Sequence, residues 1–280
     1  MRQIPALIIA LVLSLNALAP ARAQGVEAAE IDARLAALEK DDAPEAQQAA
    51  MTSLVKLGAD ALPHLIAALG DKGRSWPARS GAAWVLGEIA DARAVEALNA
   101  AWADAEAPGV FKVQVATALA ALGQTGPLRS FLDLKGDAIL AAKAATALAN
   151  VQDRGAVEAI KPLLSNADIA PFVALALGRL GDDSGRAEIE ALGKEPMFRD
   201  YVAVALGALG DKKALMPLRF ALSNPDPFIR RDAAEALGRL EDASSLAKLE
   251  EMAAADPDAR AREAAAKAAR KLSRKAPRPR

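Results

Sequence analysis

Little in this sequence is equipped for covalent chemistry. It contains one histidine, His64, and no cysteine. Thiolate nucleophiles, disulfides, iron–sulfur clusters and zinc–thiolate sites are therefore excluded. A transition-metal site ordinarily draws on several His or Cys ligands, so a lone His does not support one. His64 lies in Leu62-Pro63-His64-Leu65. As a general base it would need a nucleophile or an orienting carboxylate. No motif supplies either, so it reads as a helix-start or surface residue. What remains is charge pairing. Arg79, Arg199 and Arg230, with Lys112 as a variant, each stand seven residues before a recurring leucine. Asp91, Asp182, Asp211 and Asp242 stand just after the same leucine's phrase. At roughly 100° per residue the basic side chain and the leucine share one helix face. One reading is a charged binding stripe. The favoured one is an inter-repeat Asp–Arg ladder that caps helix ends.

The phrase that sets these residues out is Ala205-Leu206-Gly207-Ala208-Leu209-Gly210-Asp211. It recurs, with variations, around Leu54, Leu86, Leu119, Leu148, Leu177 and Leu237, in steps of 29 to 33 residues. A fixed period of that size marks a repeat array, in which each unit contacts only its neighbours. Ala and Leu dominate and β-branched residues are sparse, so the units are predicted to be helical. The first helix of each unit ends at the Leu-Gly phrase. After a turn, a second helix carries apolar residues at spacings of three and four, as in Leu215, Leu218 and Leu222. With 35 basic and 36 acidic residues the net charge is −1. Nothing in that balance draws the chain toward nucleic acid.

The stretch Asp226-Pro227-Phe228-Ile229-Arg230-Arg231-Asp232-Ala233-Ala234-Glu235-Ala236-Leu237-Gly238-Arg239-Leu240 resembles the short HEAT-like repeat, the kind also found in phycobilin lyases. The resemblance covers residues 44–255. It implies an all-α fold: an α-solenoid of about seven helix-pair repeats, a HEAT/armadillo-like superhelix with capping helices at both ends. Gln47, Ala141 and Ala170 depart from the arginine of the pattern, so a ladder built on that residue is interrupted there. The resemblance further implies that second helices line the concave side, where Met216 and Arg219 are outward positions. That surface is mixed in sign, which suits a protein or peptide partner better than a polyanion. The family's iron-dependent hydroxylases use His-Glu pairs that this chain lacks. Lyase activity does not follow from a fold. The chain is accordingly expected not to be an enzyme, with no catalytic residue, no metal and no cofactor.

Five segments are expected. Residues 1–23 read as a secretory leader: a short basic start, an apolar run from Ile4 to Leu18, and the small-residue signal Ala21-x-Ala23. This places the mature protein in the periplasm or outside the cell. Residues 24–43 form an N-terminal cap, 44–255 the solenoid, 256–273 a C-terminal cap, and 274–280 a basic tail. A weak contact between that tail and an anionic envelope surface is expected as a subsidiary interaction. For the main partner the candidates are Trp76, Trp84 and Phe111, which would form an apolar patch across the second and third repeats, together with Met216 and Arg219.

Overall fold

The computed structural model describes residues 28–39, 44–133 and 136–274, and shows helices with no strand among them. The leader and residues 275–280 of the basic tail lie outside the described residues. The chain divides into two compact units, one up to Gln124 and one from Thr125 on.

The first unit holds a helix over 28–37 (α1), then α2 (Pro44–Leu57), α3 (Leu62–Gly70), α4 (Trp76–Ile89), α5 (Val95–Trp102) and α6 (Gly109–Ala121). The first helices α2, α4 and α6 stack in order, and the second helices α3 and α5 pack beside them. Their core is Leu54, Leu65, Leu69, Leu86, Leu98, Phe111 and Leu119, with Ile31 and Leu35 of α1 closing its end.

The second unit runs through α7 (Gly126–Arg129), α8 (Ala138–Asn150), α9 (Val157–Ile160), α10 (Ala170–Leu180), α11 (Arg186–Leu192), α12 (Arg199–Ala208), α13 (Leu215–Ala221), α14 (Pro227–Arg239), α15 (Leu246–Ala255) and α16 (Ala259–Ser273). Its first helices α8, α10, α12, α14 and α16 form another continuous stack. The second helices α7 and α9 are reduced to four residues each. At α9 the chain tightens into a 3-10 turn, Lys161–Ser165, where Pro162 has no N–H to continue the α ladder.

Two features of the repeated phrase explain the stack. The residue four places after each recurring leucine turns the chain out of the helix in the left-handed conformation. It is Gly58, Gly123, Gly181 and Gly210 in four repeats, and Ala90, Gln152 and Glu241 in the other three, at φ +53°, +57° and +61°. In five of the repeats the following residue then donates its N–H back to the leucine carbonyl, as Asp211 does to Leu206 at 3.0 Å. This closes the orphan carbonyls of the last turn. The glycine inside the phrase does something else. A methyl group at Gly87 would lie 3.0 Å from the Cβ of Ala118 and 2.9 Å from its Cα. At Gly178, Gly207 and Gly238 it would lie 2.9, 2.8 and 2.7 Å from the Cβ of Ala205, Ala236 and Ala268. Glycine on one first helix meets alanine on the next, and nothing larger fits.

The final helix follows the same rule. Arg262 in α16 donates to the carbonyls of Asp256 and Pro257, as Arg230 in α14 does to Asn224 and Pro225. Asp258 caps α16 as Asp226 caps α14. The segment read as a C-terminal cap therefore has the geometry of a first helix, though it lacks the Leu-Gly phrase.

Gly238→Ala should cost a net ~1–2 kcal/mol, since the clash with Ala268 outweighs the helix propensity gained. Ala90→Gly should add ~0.5–1 kcal/mol by relieving a left-handed alanine. Chemical denaturation of both variants checks the pair.

Candidate functional site

In the first unit, α2, α4 and α6 leave a surface cleft of about 280 Å³ along their shared face. Gln47, Gln48 and Met51 line it from α2, Pro77, Ser80 and Trp84 from α4, and Gln114 from α6. Trp84 is half-buried, with part of its ring packed against the core and part facing the cleft. No lining side chain carries a charge. Carboxamides both donate and accept hydrogen bonds, which matches the alternating groups of a peptide backbone. A half-exposed indole beside a methionine offers an apolar anchor.

The other two aromatic candidates are placed differently from the expectation. Phe111 is 1% exposed. Its ring lies 5.0 Å from that of Trp76, and the Arg79 guanidinium sits 4.4 Å from the Trp76 ring and 4.9 Å from the Phe111 ring. The apolar patch across Trp76, Trp84 and Phe111 is thus corrected: Phe111 is core, Trp76 covers Arg79, and Trp84 alone faces the cleft. Sequence spacing could not reveal that a buried arginine would draw the two rings together.

Arg79 itself is 3% exposed. Its Nε donates to the Leu69 carbonyl at 2.9 Å, and Nη2 stands 3.7 Å from Asp104. Arg230 makes a two-pronged contact with Asp256, both bonds at 2.8 Å. These arginines pair with an aspartate after the second helix, not with the turn aspartates named from the sequence. The turn aspartates take their cations from the second helix of the preceding repeat: Arg129 to Asp153 at 2.6 Å, Lys161 to Asp182 at 3.0 Å, Arg186 to Asp211 at 3.3 Å, and Arg219 to Asp242 at 2.6 Å. Asp91 instead pairs with Arg93 in its own turn, which holds its carboxyl down to about 2. Arg199 is exposed, 2.9 Å from the neighbouring Asp200, and Lys112 has no carboxylate partner among the described residues. Neither belongs to a ladder: Asn224 stands 25 residues after Arg199, and Asp137, 25 residues after Lys112, caps α8 by accepting from the N–H groups of Ile139 and Leu140. Arg219, expected on a binding surface, is a ladder residue. Met216 is 61% exposed. The pairing partners Asp104, Asp153, Asp256, Arg129, Lys161 and Arg186 were missed; the recurring 21–25 residue step from second-helix cation to next-turn aspartate was the available signal.

The second unit also contains a buried ionic centre. Arg179 Nε donates to Asp232 Oδ2 at 2.7 Å, and Arg231 donates to Asp232 Oδ1 at 2.6 Å. Arg231 Nη1 reaches the Asn150 carbonyl, 81 residues earlier, at 2.6 Å. Gln152 adds a longer contact to Asp232 at 3.5 Å. The first helices α8, α10 and α14 therefore converge inside this unit. Within this unit first helices lie on the inner side, where second helices were expected.

His64 stands 3.3 Å from Asp32 in α1. The orienting carboxylate absent from local sequence is thus supplied from outside the repeats. Among the described residues no group of three or more His, Cys, Asp or Glu side chains is placed to hold a metal ion. No helix among them is long and apolar enough to cross a membrane.

Comparison with known proteins follows this geometry. The family model for HEAT repeats matches residues 31–120 and 186–270. No curated protein matches. Among solved structures, human deoxyhypusine hydroxylase in complex with glycerol is 23% identical, covering 88% of this chain and 96% of that one, with a TM-score of 0.36. The complex of CpcE and CpcF of phycocyanin lyase from Nostoc sp. is 21% identical, covering 85% and 86%, with a TM-score of 0.38. The expectation that the chain is not an enzyme is corrected: a hydroxylase and a lyase are among the structures it is similar to. At those TM-scores the likeness assigns no activity.

Arg79→Ala should lower stability by ~3–5 kcal/mol, as when one partner of a buried charged contact is removed. The ladder also sets a pH dependence. Burial opposes ionisation of Asp153, Asp182 and Asp256, but hydrogen bonds from Arg129, from Ser184 and Lys161, and from Arg230 outweigh it and leave all three below the usual range. The Lys213 N–H holds Asp211 low, and the Arg219 guanidinium holds Asp242 low. A depressed carboxylate stabilises the fold above its unfolded value of ~3.9 and loses that contribution as pH falls through its folded value. The melting temperature should therefore drop as pH is lowered below ~4. Asp242→Asn should make that drop shallower in a pH series of thermal melts.

Proposed function

We propose that this chain, which belongs to the HEAT-repeat family, is an exported scaffold that holds another protein through a peptide segment laid in the Trp84 cleft. The observation that carries this reading is the cleft itself. Three successive first helices each contribute to one uncharged strip of carboxamides, a hydroxyl, a methionine and a half-exposed tryptophan. A polyanion finds no cation there, and the uncharged hydrogen-bonding groups suit a peptide backbone. Export rests on the pattern of residues 1–23.

Crosslinking capture from an envelope fraction tests this, using the full chain, Trp84→Ala, and Lys267→Glu in the other unit as a control. Trp84→Ala should lower recovery of crosslinks to residues 44–121 by about tenfold or more. It should cost only ~1–2 kcal/mol of stability, because the ring is half-buried. Lys267→Glu should capture as the unaltered chain does. Unchanged capture by Trp84→Ala, or a stability loss of ~3–5 kcal/mol, would mean that the tryptophan serves packing instead.

A further inference from the structure

The second unit has a cavity of about 630 Å³ between α14 and α16. Its floor is made of Gly238, Ala264 and Ala268, the small residues of the last glycine–alanine seam. Its walls are basic. Lys267, Arg270, Lys271 and Arg274 follow at three- and four-residue steps, so one face of α16 carries all four. Arg239 stands opposite on α14. Arg154 joins from the turn after α8, brought there by the convergence that Arg231 and Asn150 fix. Against these six cations the cavity has one carboxylate, Glu235.

These cations are unlike those of the ladder. Arg239 donates to the Ala208 carbonyl at 2.7 Å, and Lys271 stands 3.7 Å from Glu241. Arg154, Lys267, Arg270 and Arg274 have no carboxylate within ion-pair distance among the described residues. Burial pushes the Glu235 carboxyl up, while Arg231, Arg239 and Lys267 pull it down. Six cations outnumber the two carboxylates beside them, Glu235 and Glu241, so uncompensated like charges repel one another here.

We infer that this cavity binds a compact anion carrying several negative charges, with polyphosphate as the simplest example. The volume falls within the usual range for small-molecule sites of ~300–1,000 Å³. Arginine and lysine together suit phosphoryl oxygens, the first through its planar fork and the second as a point charge. The chain as a whole carries a net charge of only −1, so the excess of cations at this cavity is local. The positive field is local and concave.

Isothermal titration of the full chain with sodium tripolyphosphate, at ~50 mM salt where electrostatic binding is least screened, tests the inference. The expected result is one site per chain, weakening as salt is raised. Lys267→Glu/Arg270→Glu should weaken binding by about tenfold or more. Both residues are exposed on α16, so the variant should fold, which far-ultraviolet circular dichroism verifies. Lys267→Gln provides a milder second variant with an intermediate loss. Trp84→Ala should bind tripolyphosphate normally, which separates this site from the peptide cleft. Absence of binding, or equal binding by the double variant, would overturn the inference. So would tighter binding of an octaglutamate peptide than of tripolyphosphate, which would make the cavity an acidic-peptide dock.

Discussion

The structure depends on how closely one first helix can approach the next. At Gly178, Gly207 and Gly238 the space that a single methyl would need is already filled by an alanine of the following repeat. Dispersion falls steeply with distance, so the gain from such close contact requires both helices to present almost no side chain at the crossing. The same phrase then has to release the chain. It does so with a left-handed residue three positions after that glycine position in all seven repeats. One short motif thus sets the spacing of the stack and ends each helix that forms it.

Much of this was legible in the sequence. The seven leucines gave the period, and the phrase around each located the end of its first helix. The wheel placed Arg79 on a buried face, where it is 3% exposed. What the sequence could not supply was partnership. An arginine has an aspartate at several comparable separations in a repeating chain, and only packing decides between them. Arg230 took Asp256, while Asp242 took Arg219. The reading of Phe111 failed for a related reason: it judged each aromatic by its own helix, whereas Arg79 between two rings is a three-residue arrangement. The basic cavity was half-visible as a run of cations near the C-terminus. Arg154, whose part in it comes from curvature within the second unit, was not.

The two units offer different chemistry on similar helices. The Trp84 cleft is uncharged and rich in carboxamides, while the cavity beside α16 is strongly basic. Both are built on first helices, so the closely packed stack also provides the surfaces open to ligands. The paired charges of the ladder lie along the second helices and turns, where they tie each repeat to the next. Each such pair is partly exposed and individually modest in energy. Repetition makes them matter, since every repeat interface has to hold for a linear array to remain folded.

Amide hydrogen exchange on the full chain tests this account most directly. If the glycine–alanine seams hold the stack together, amides in α4, α6, α10, α12, α14 and α16 should be the slowest to exchange, and those in α5, α11, α13 and α15 should open earlier. Equal or greater protection in the second helices would contradict it, and would place the stabilising contacts in the ladder instead.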